Sequence, residues 1–129
     1  MYIQPSFDSS FQLHDLGESL YELTRAFRPR KILEVGALHG YSTHVFIQAL
    51  RSLGWPDADL VTVDLFEDYQ YKNCSLDRFK SNMTDIPFYP SNIHHEIIQC
   101  DILENLALFS RLASRVDLIF IDISNDADK

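Results

Sequence analysis

The chain has 129 residues, with 19 acidic against 11 basic side chains for a net charge of −8, and 46% of its residues are hydrophobic. That length and balance suit one globular domain able to bury a core. They disfavour a nucleic-acid-binding surface, which needs clustered Lys and Arg against phosphates, and no apolar run reaches the length of a membrane span.

In chain order, Met1 to Ser10 is irregular, with Tyr2, Ile3 and Phe7 available to dock it. From about Ser10 to Phe27 the apolar residues Leu13, Leu16, Leu20, Leu23 and Phe27 recur at three and four, which predicts an amphipathic helix. Pro29 ends it, because the residue before a proline avoids the α region. The basic cluster from Arg25 to Lys31 reads as a solvated helix end, where cations suit the macrodipole. The N-terminus has no basic-then-apolar leader pattern, so the cytoplasm is the expected compartment.

The stretch Lys31-Ile-Leu-Glu-Val-Gly-Ala-Leu-His-Gly-Tyr-Ser-Thr43 carries the most information. A short apolar run, Ile32, Leu33 and Val35, stops at Gly36, Gly40 follows, and an amphipathic helix is predicted from Ser42 to Leu53. Gly54-Trp-Pro56 stops that helix. Strand, glycine turn and helix N-terminus in sequence form the layout that brings backbone N–H groups against a ligand. Glycine is expected there for positive φ and for close approach of the ligand to the backbone. Glu34 can accept hydrogen bonds from a charged amine or from ribose hydroxyls. A nicotinamide loop would need Gly-x-Gly-x-x-Gly, and Leu38 and Tyr41 stand where glycines would be required.

The pattern Glu-x-Gly-x-x-x-Gly-x-Ser resembles motif I of the class I S-adenosylmethionine-dependent methyltransferases. It is most similar to the glycine loop of catechol O-methyltransferase and related small-molecule O-methyltransferases, which also lack the middle glycine that Leu38 replaces here. The resemblance implies an α/β, doubly wound, Rossmann-like and mostly parallel sheet with S-adenosylmethionine as cofactor. Its methionine end would lie over Gly36 and Gly40, with Tyr41 and Ser42 near its carboxylate. The helix ending at Phe27 would pack on the sheet.

Further along, Asp59-Leu-Val-Thr-Val-Asp64 is a β-branched run ending in an acid, at roughly the 20-residue distance where such folds place a ribose-binding carboxylate. Asp64 is therefore expected to accept bonds from both ribose hydroxyls, with little core packing of its own. The signal is weakest between Phe66 and Asn92, where a helix from about Ser75 to Met83 is predicted. Tyr69, Tyr71, Phe88 and Tyr89 in this region could cover adenine or shape a substrate pocket. His95-Glu-Ile-Ile-Gln-Cys-Asp101 reads as a third strand. The resemblance sets Asp101 against the adenine amine, while its position before Ile102-Leu-Glu104 equally suits a helix N-cap.

Val116-Asp-Leu-Ile-Phe-Ile121 is the most apolar stretch, and such a strand is expected to be buried on both faces. It leads to Asp122, the candidate catalytic residue, placed by the strand-end rule in the same crevice as Glu34 and Asp64. In the resembling enzymes the matching aspartate binds a divalent metal. Further oxygen ligands would be needed for that, so no metal ligand is assigned.

The resemblance covers about residues 28–129, after an N-terminal segment and helix over 1–27, and the whole reads as a single S-adenosylmethionine-binding core. Class I sheets have seven strands, so this one is expected to be truncated after the fourth, as a fragment of a longer protein. Its apolar edge would call for an oligomer or a partner chain to cover it. Cys74 and Cys100 form neither a zinc pattern nor a disulfide framework; Cys100 reads as a small core residue and Cys74 as partly exposed. His39 and His44 could act as a general base, and His94 and His95 read as surface groups. The expected function is methyl transfer from S-adenosylmethionine to a small-molecule oxygen. A catalytically silent cofactor-binding module and a nicotinamide-linked oxidoreductase are the alternatives.

Overall fold

The computed structural model describes residues 2–7, 9, 15–70, 72–87, 89–90 and 92–123. Among these, helices α1 (Leu16–Phe27), α2 (Tyr41–Ser52), α3 (Leu76–Thr84) and α4 (Leu106–Ala113) alternate with strands β1 (Lys31–Val35), β2 (Ala58–Asp64), β3 (Ile93–Gln99) and β4 (Leu118–Ile121). All pairings are parallel and the order is β3-β2-β1-β4. The chain runs outward from β1 through β2 to β3, then crosses back to lay β4 on the other side of β1. This is the expected doubly wound, Rossmann-like sheet, and its direction switches between β1 and β4.

Parallel register decides which side chains share a face. Ile32, Leu60, His95 and Leu118 stand in one row, and Glu34, Thr62, Ile97 and Phe120 in the next. That face carries α2 and α3, with Phe46, Ile47 and Leu50 of α2 and Phe79 and Met83 of α3 in its core. On the opposite face Leu33, Val35 and Val63 pack against Leu112 of α4.

Three expectations change. Periodicity predicted a one-sided α2, yet every residue from Tyr41 to Ile47 is buried, as are Ala49 and Leu50. The cause is α1, which packs on α2 through Tyr21 against Tyr41, Val45 and Ala49, rather than on the sheet. The buried side of α1 is Gly17, Tyr21 and Thr24, and Leu16, Leu23 and Phe27 of the anticipated stripe are exposed. Gly17 is used because a Cβ there would collide with the hydroxyls of Tyr2 and Tyr41. Residues 10–14, including Leu13, lie outside the described residues.

The third change is β4. Its apolar composition suggested burial on both faces, but Ile119 is 40% and Ile121 55% exposed. Leu118 and Phe120 join the core on the α2 side, Phe120 meeting Phe46 edge to face at 5.3 Å. The other face of this edge strand carries the exposed Ile119 and Ile121, so the apolar edge expected from the sequence is present among the described residues. Smaller differences concern boundaries: β3 begins at Ile93 and ends at Gln99, two residues earlier at each end than the sequence suggests, and β4 begins at Leu118. Cys74 is buried and Cys100 half-buried, the reverse of the sequence reading, and both are free thiols.

Leu33 and Ile119 are register partners in very different environments. In the 129-residue chain Leu33→Ala should cost about 2–5 kcal/mol and Ile119→Ala less than about 2 kcal/mol, because only the first leaves a closed cavity. Urea unfolding of the two variants measures the contrast.

Candidate functional site

β1 ends at Val35 and the chain turns through Gly36–Gly40 into α2. Gly36 and Gly40 have φ of 91° and 103°, and Leu38 between them has φ of 52°. Leu38 thus adopts the left-handed conformation a middle glycine would take, at a cost of about 1–2 kcal/mol for an L residue. The close approach to both glycines comes from the chain itself. A Cβ on Gly36 would strike the backbone carbonyl of Asp122, and one on Gly40 would lie 2.5 Å from Met83 Cε. Asn82 Nδ2 donates to the His39 carbonyl at 2.8 Å, so α3 is tied to the loop as well as packed on it.

Asp64, at the end of β2, closes the loop from the side. Its Oδ2 accepts from the backbone N–H groups of Ala37 (2.6 Å) and Leu38 (3.2 Å), and its Oδ1 from that of Phe66 (2.7 Å). A carboxylate offers about four lone-pair sites, so the remaining capacity is on Oδ1. Asp64 therefore has a structural role that the strand-end reading did not include. The next turn is strained: Phe66 is fully buried with φ of 53°, held by the Asp64 bond and by Phe79, whose ring lies 5.2 Å away. Such outliers persist only where surrounding contacts impose them.

Glu34 does not face the crevice. It is fully buried; its Oε1 accepts from Thr43 Oγ1 (2.6 Å) and Thr62 Oγ1 (3.0 Å), and its Oε2 accepts from Ser42 Oγ. Burial pushes its carboxyl up to about 7, against the pull of the three hydroxyls. Ser42 is accordingly engaged beneath the loop by its side chain. The Tyr41 hydroxyl donates to Gln4 Oε1 at 3.1 Å and meets the Tyr2 hydroxyl at 3.4 Å. What Tyr41 and Ser42 can present to a ligand is backbone: the N-cap of α2 is Gly40, which has no side chain of its own to cap that terminus.

The remaining acids lie at the same end of the sheet. Asp101 follows β3 and caps the turn Ile102–Glu104, its Oδ1 accepting from Leu103 N at 3.0 Å. The N-cap anticipated for it is therefore formed, and its second oxygen has no partner among the described residues. Asp122 follows β4, exposed, its N–H donating to the Val35 carbonyl at 2.9 Å. Among the described residues no three His, Cys, Asp or Glu side chains converge as metal ligands, and no helix is long and apolar enough to cross a membrane. His44 is buried and turned toward Phe7, and burial holds its imidazole down to about 4. Tyr71 and Phe88 lie outside the described residues.

Sequence reasoning missed Thr43, Thr62 and His95. Thr62 lies in a β-branched run that any strand would use, so nothing marked it. His95 was set at the surface, yet it is largely buried within β3, with its Nε2 2.8 Å from Thr62 Oγ1. The alternation Ile93, His95, Ile97 along one strand face was the available signal.

Two outcomes follow from this geometry. Leu38→Gly should raise stability by up to about 1 kcal/mol by relieving the left-handed penalty, read by thermal unfolding. The pH dependence has two opposed parts. Glu34 holds its proton more tightly when folded, so its contribution is full below its unfolded value and declines as pH rises toward 7, by on the order of 3 kcal/mol. His44 and His95, both pushed down to about 4 chiefly by burial, destabilise the fold as pH falls below about 6.5, where the unfolded chain takes up protons first. Stability should peak near pH 6.5, and Glu34→Gln should remove the decline above it, as measured by urea unfolding across pH.

Residues 33–129 match the family described as a methyltransferase domain. No curated protein matches the chain. Among solved structures, an O-methyltransferase from Streptomyces achromogenes involved in tomaymycin synthesis, in complex with SAM, is 23% identical with a TM-score of 0.63, over 92% of this chain and 47% of that one. A Podospora anserina methyltransferase bound to SAH is 21% identical with a TM-score of 0.61, over 91% and 42%. The O-methyltransferase from Bacillus cereus, in complex with SAH, is 24% identical with a TM-score of 0.59, over 92% and 47%. At these identities the likeness is one of fold, and the chain spans less than half the length of each of the three. With the family match covering most of its residues, from the middle of β1 onward, the chain belongs to the methyltransferase-domain family.

Proposed function

We propose that this chain is the cofactor-binding half of an S-adenosylmethionine-dependent methyltransferase acting on a small-molecule oxygen. The observation that carries the reading is the junction of Gly36–Gly40 with Asp64 at the carboxyl ends of β1 and β2, within a methyltransferase domain. The donor and acceptor set fits the cofactor. A helix N-terminus opening on a glycine suits a carboxylate, Asp64 Oδ1 retains an acceptor site for a ribose hydroxyl, and Asp101 keeps an oxygen for an exocyclic amine. When bound, S-adenosylmethionine supplies an electrophilic methyl group for in-line displacement.

The chain's own residues then bind and orient. The α2 backbone at Tyr41 and Ser42 takes the methionine carboxylate, and Gly36 and Gly40 permit the turn that aims those amides. Glu34 acts from below, fixing Ser42 and Thr43 at the start of α2. Asp122 lies beyond β4 beside Gly36, at the switch point where α/β sheets take their ligands, and borders the acceptor side. Two unpaired thiols suit a reducing compartment, which supports the cytoplasm as its location. Cover for the apolar edge at Ile119 and Ile121 by a second copy or a partner chain is part of this reading.

S-adenosylhomocysteine should raise the thermal midpoint of the chain, by an amount equivalent to about 2.7 kcal/mol at 100 times its dissociation constant. NAD should not, and a larger shift with NAD would overturn the reading. Asp64→Ala should weaken S-adenosylhomocysteine binding by about 1.5–3 kcal/mol in calorimetry. The same variant should also lower the thermal midpoint without ligand, since three backbone amides lose their acceptor.

A further inference from the structure

One line of polar side chains crosses the α2–α3 face of the sheet, and cofactor contact does not account for it. Thr62 Oγ1 donates to Glu34 Oε1 at 3.0 Å and lies 2.8 Å from His95 Nε2, while His95 Nδ1 lies 2.7 Å from the Tyr89 hydroxyl. Glu34 is fully buried and Tyr89 half-buried in the loop before β3, so the line runs from the core toward the surface.

Donor chemistry gives the line a direction. An ionised carboxylate only accepts, and a hydroxyl has a single proton. With that proton committed to Glu34, Thr62 must accept from His95 Nε2–H. Nδ1 is then an acceptor, and Tyr89 donates to it. Protonated Glu34 allows the reverse in every bond: Glu34 donates to Thr62, Thr62 to Nε2, and Nδ1–H to the Tyr89 oxygen, whose own proton turns outward.

We propose that Glu34–Thr62–His95–Tyr89 is a proton line through which the glycine loop senses pH, switching the His95 tautomer as Glu34 gains or loses a proton. The regulatory part rests on reading Gly36–Gly40 as the cofactor loop. Uptake balances as follows. A solvent proton joins the Tyr89 oxygen as the Tyr89 proton passes to Nδ1, the Nε2 proton passes to Thr62, and the Thr62 proton passes to Glu34. No bond between heavy atoms changes, and the protein gains one proton.

The surroundings support this assignment. Glu34 is faced by Ser42 and Thr43 from α2 and by Thr62 and Asp64 from β2, and its register partner on β4 is the apolar Phe120. Among these groups there is no cation to hold the carboxylate ionised, and Asp64 favours protonation. His95 is faced by Tyr89, by Thr62 and by the edge of Phe79 from α3, with His94 beside it in sequence but turned to Asp59. Burial brings Glu34 to about 7 and holds His95 at about 4. Near neutrality the carboxyl therefore changes charge while the imidazole changes only its tautomer. Ser42 and Thr43, the other two donors to Glu34, form the first turn of α2, so the switch reaches the loop directly.

The test is a titration of the 129-residue chain with 15N-labelled histidine between about pH 5 and 8, followed by NMR without ligand. His95 should be protonated on Nε2 at the alkaline end and on Nδ1 at the acid end, without becoming imidazolium. Thr62→Val, which cuts the line while keeping the side-chain shape, should make the tautomer independent of pH. A ring that keeps one tautomer throughout, or a switch that survives in Thr62→Val, would overturn the proposal. Calorimetry then reads the coupling: S-adenosylhomocysteine should bind several-fold more tightly at the alkaline end, and Glu34→Gln should abolish that dependence. Affinity independent of pH in the unaltered chain would refute the coupling. Absence of binding at any pH would instead refute the cofactor reading, while the tautomer titration stands on its own.

Discussion

A carboxylate buried in an apolar face has to be hydrogen-bonded or neutral, and most of this structure is consistent with meeting that demand at Glu34. Its three hydroxyl partners come from two elements: Ser42 and Thr43 from α2, Thr62 from β2. Placing two consecutive hydroxyls against one carboxylate fixes the rotation of α2 about its axis. Tyr41, Val45 and Ala49 are thereby directed outward to α1, and Phe46, Ile47 and Leu50 inward to the sheet. A helix pinned in this way begins at a defined point, and the Gly36–Gly40 turn is the short path from β1 to that point. Desolvation of a carboxylate is costly when it is left unpaired, so the same contacts that orient the helix also make the buried acid tolerable.

The two acids at the loop divide the work. Asp64 holds it from the side through the amides of Ala37 and Leu38, and Glu34 holds the helix that follows. One restrains the backbone of the turn and the other the first residues after it. The segment that would meet a cofactor is thus set before any ligand arrives, which lowers the ordering cost of binding. Asp117 plays a comparable part at the far end of the sheet, where its Oδ2 accepts from the N–H groups of Arg30 and Lys31 and joins the starts of β1 and β4.

Glycine spacing, the acid after the second apolar run and the alternation of strands with helices made the fold legible, because each is a local signal tied to a single geometry. The positions of Asp64, Asp101 and Asp122 at one end of the sheet follow from that topology alone. The sequence was less informative wherever burial depends on what packs outside an element. α2 looks one-sided because nothing within it announces α1, and β4 looks doubly buried because an apolar strand does not reveal that it is an edge. Glu34 was read as a ligand contact because a carboxylate before a glycine turn is chemically suited to one; its three hydroxyl partners are ordinary serines and threonines until the chain folds. Asp64 was legible as a strand-end acid, while its grip on the loop depends on Leu38 turning left-handed without a glycine.

Gly40 rests on Met83, whose terminal methyl would lie only 2.5 Å from a Cβ at that position. Methionine is unbranched and polarizable, the most adaptable of the large core side chains. The glycine turn is therefore clamped from the side by rigid carboxylate–amide bonds and cushioned by a compliant thioether. Small displacements of the turn can be absorbed by torsions of one side chain, with α3 and the sheet undisturbed. The clamp sets where the turn sits, and the cushion sets how far it can give.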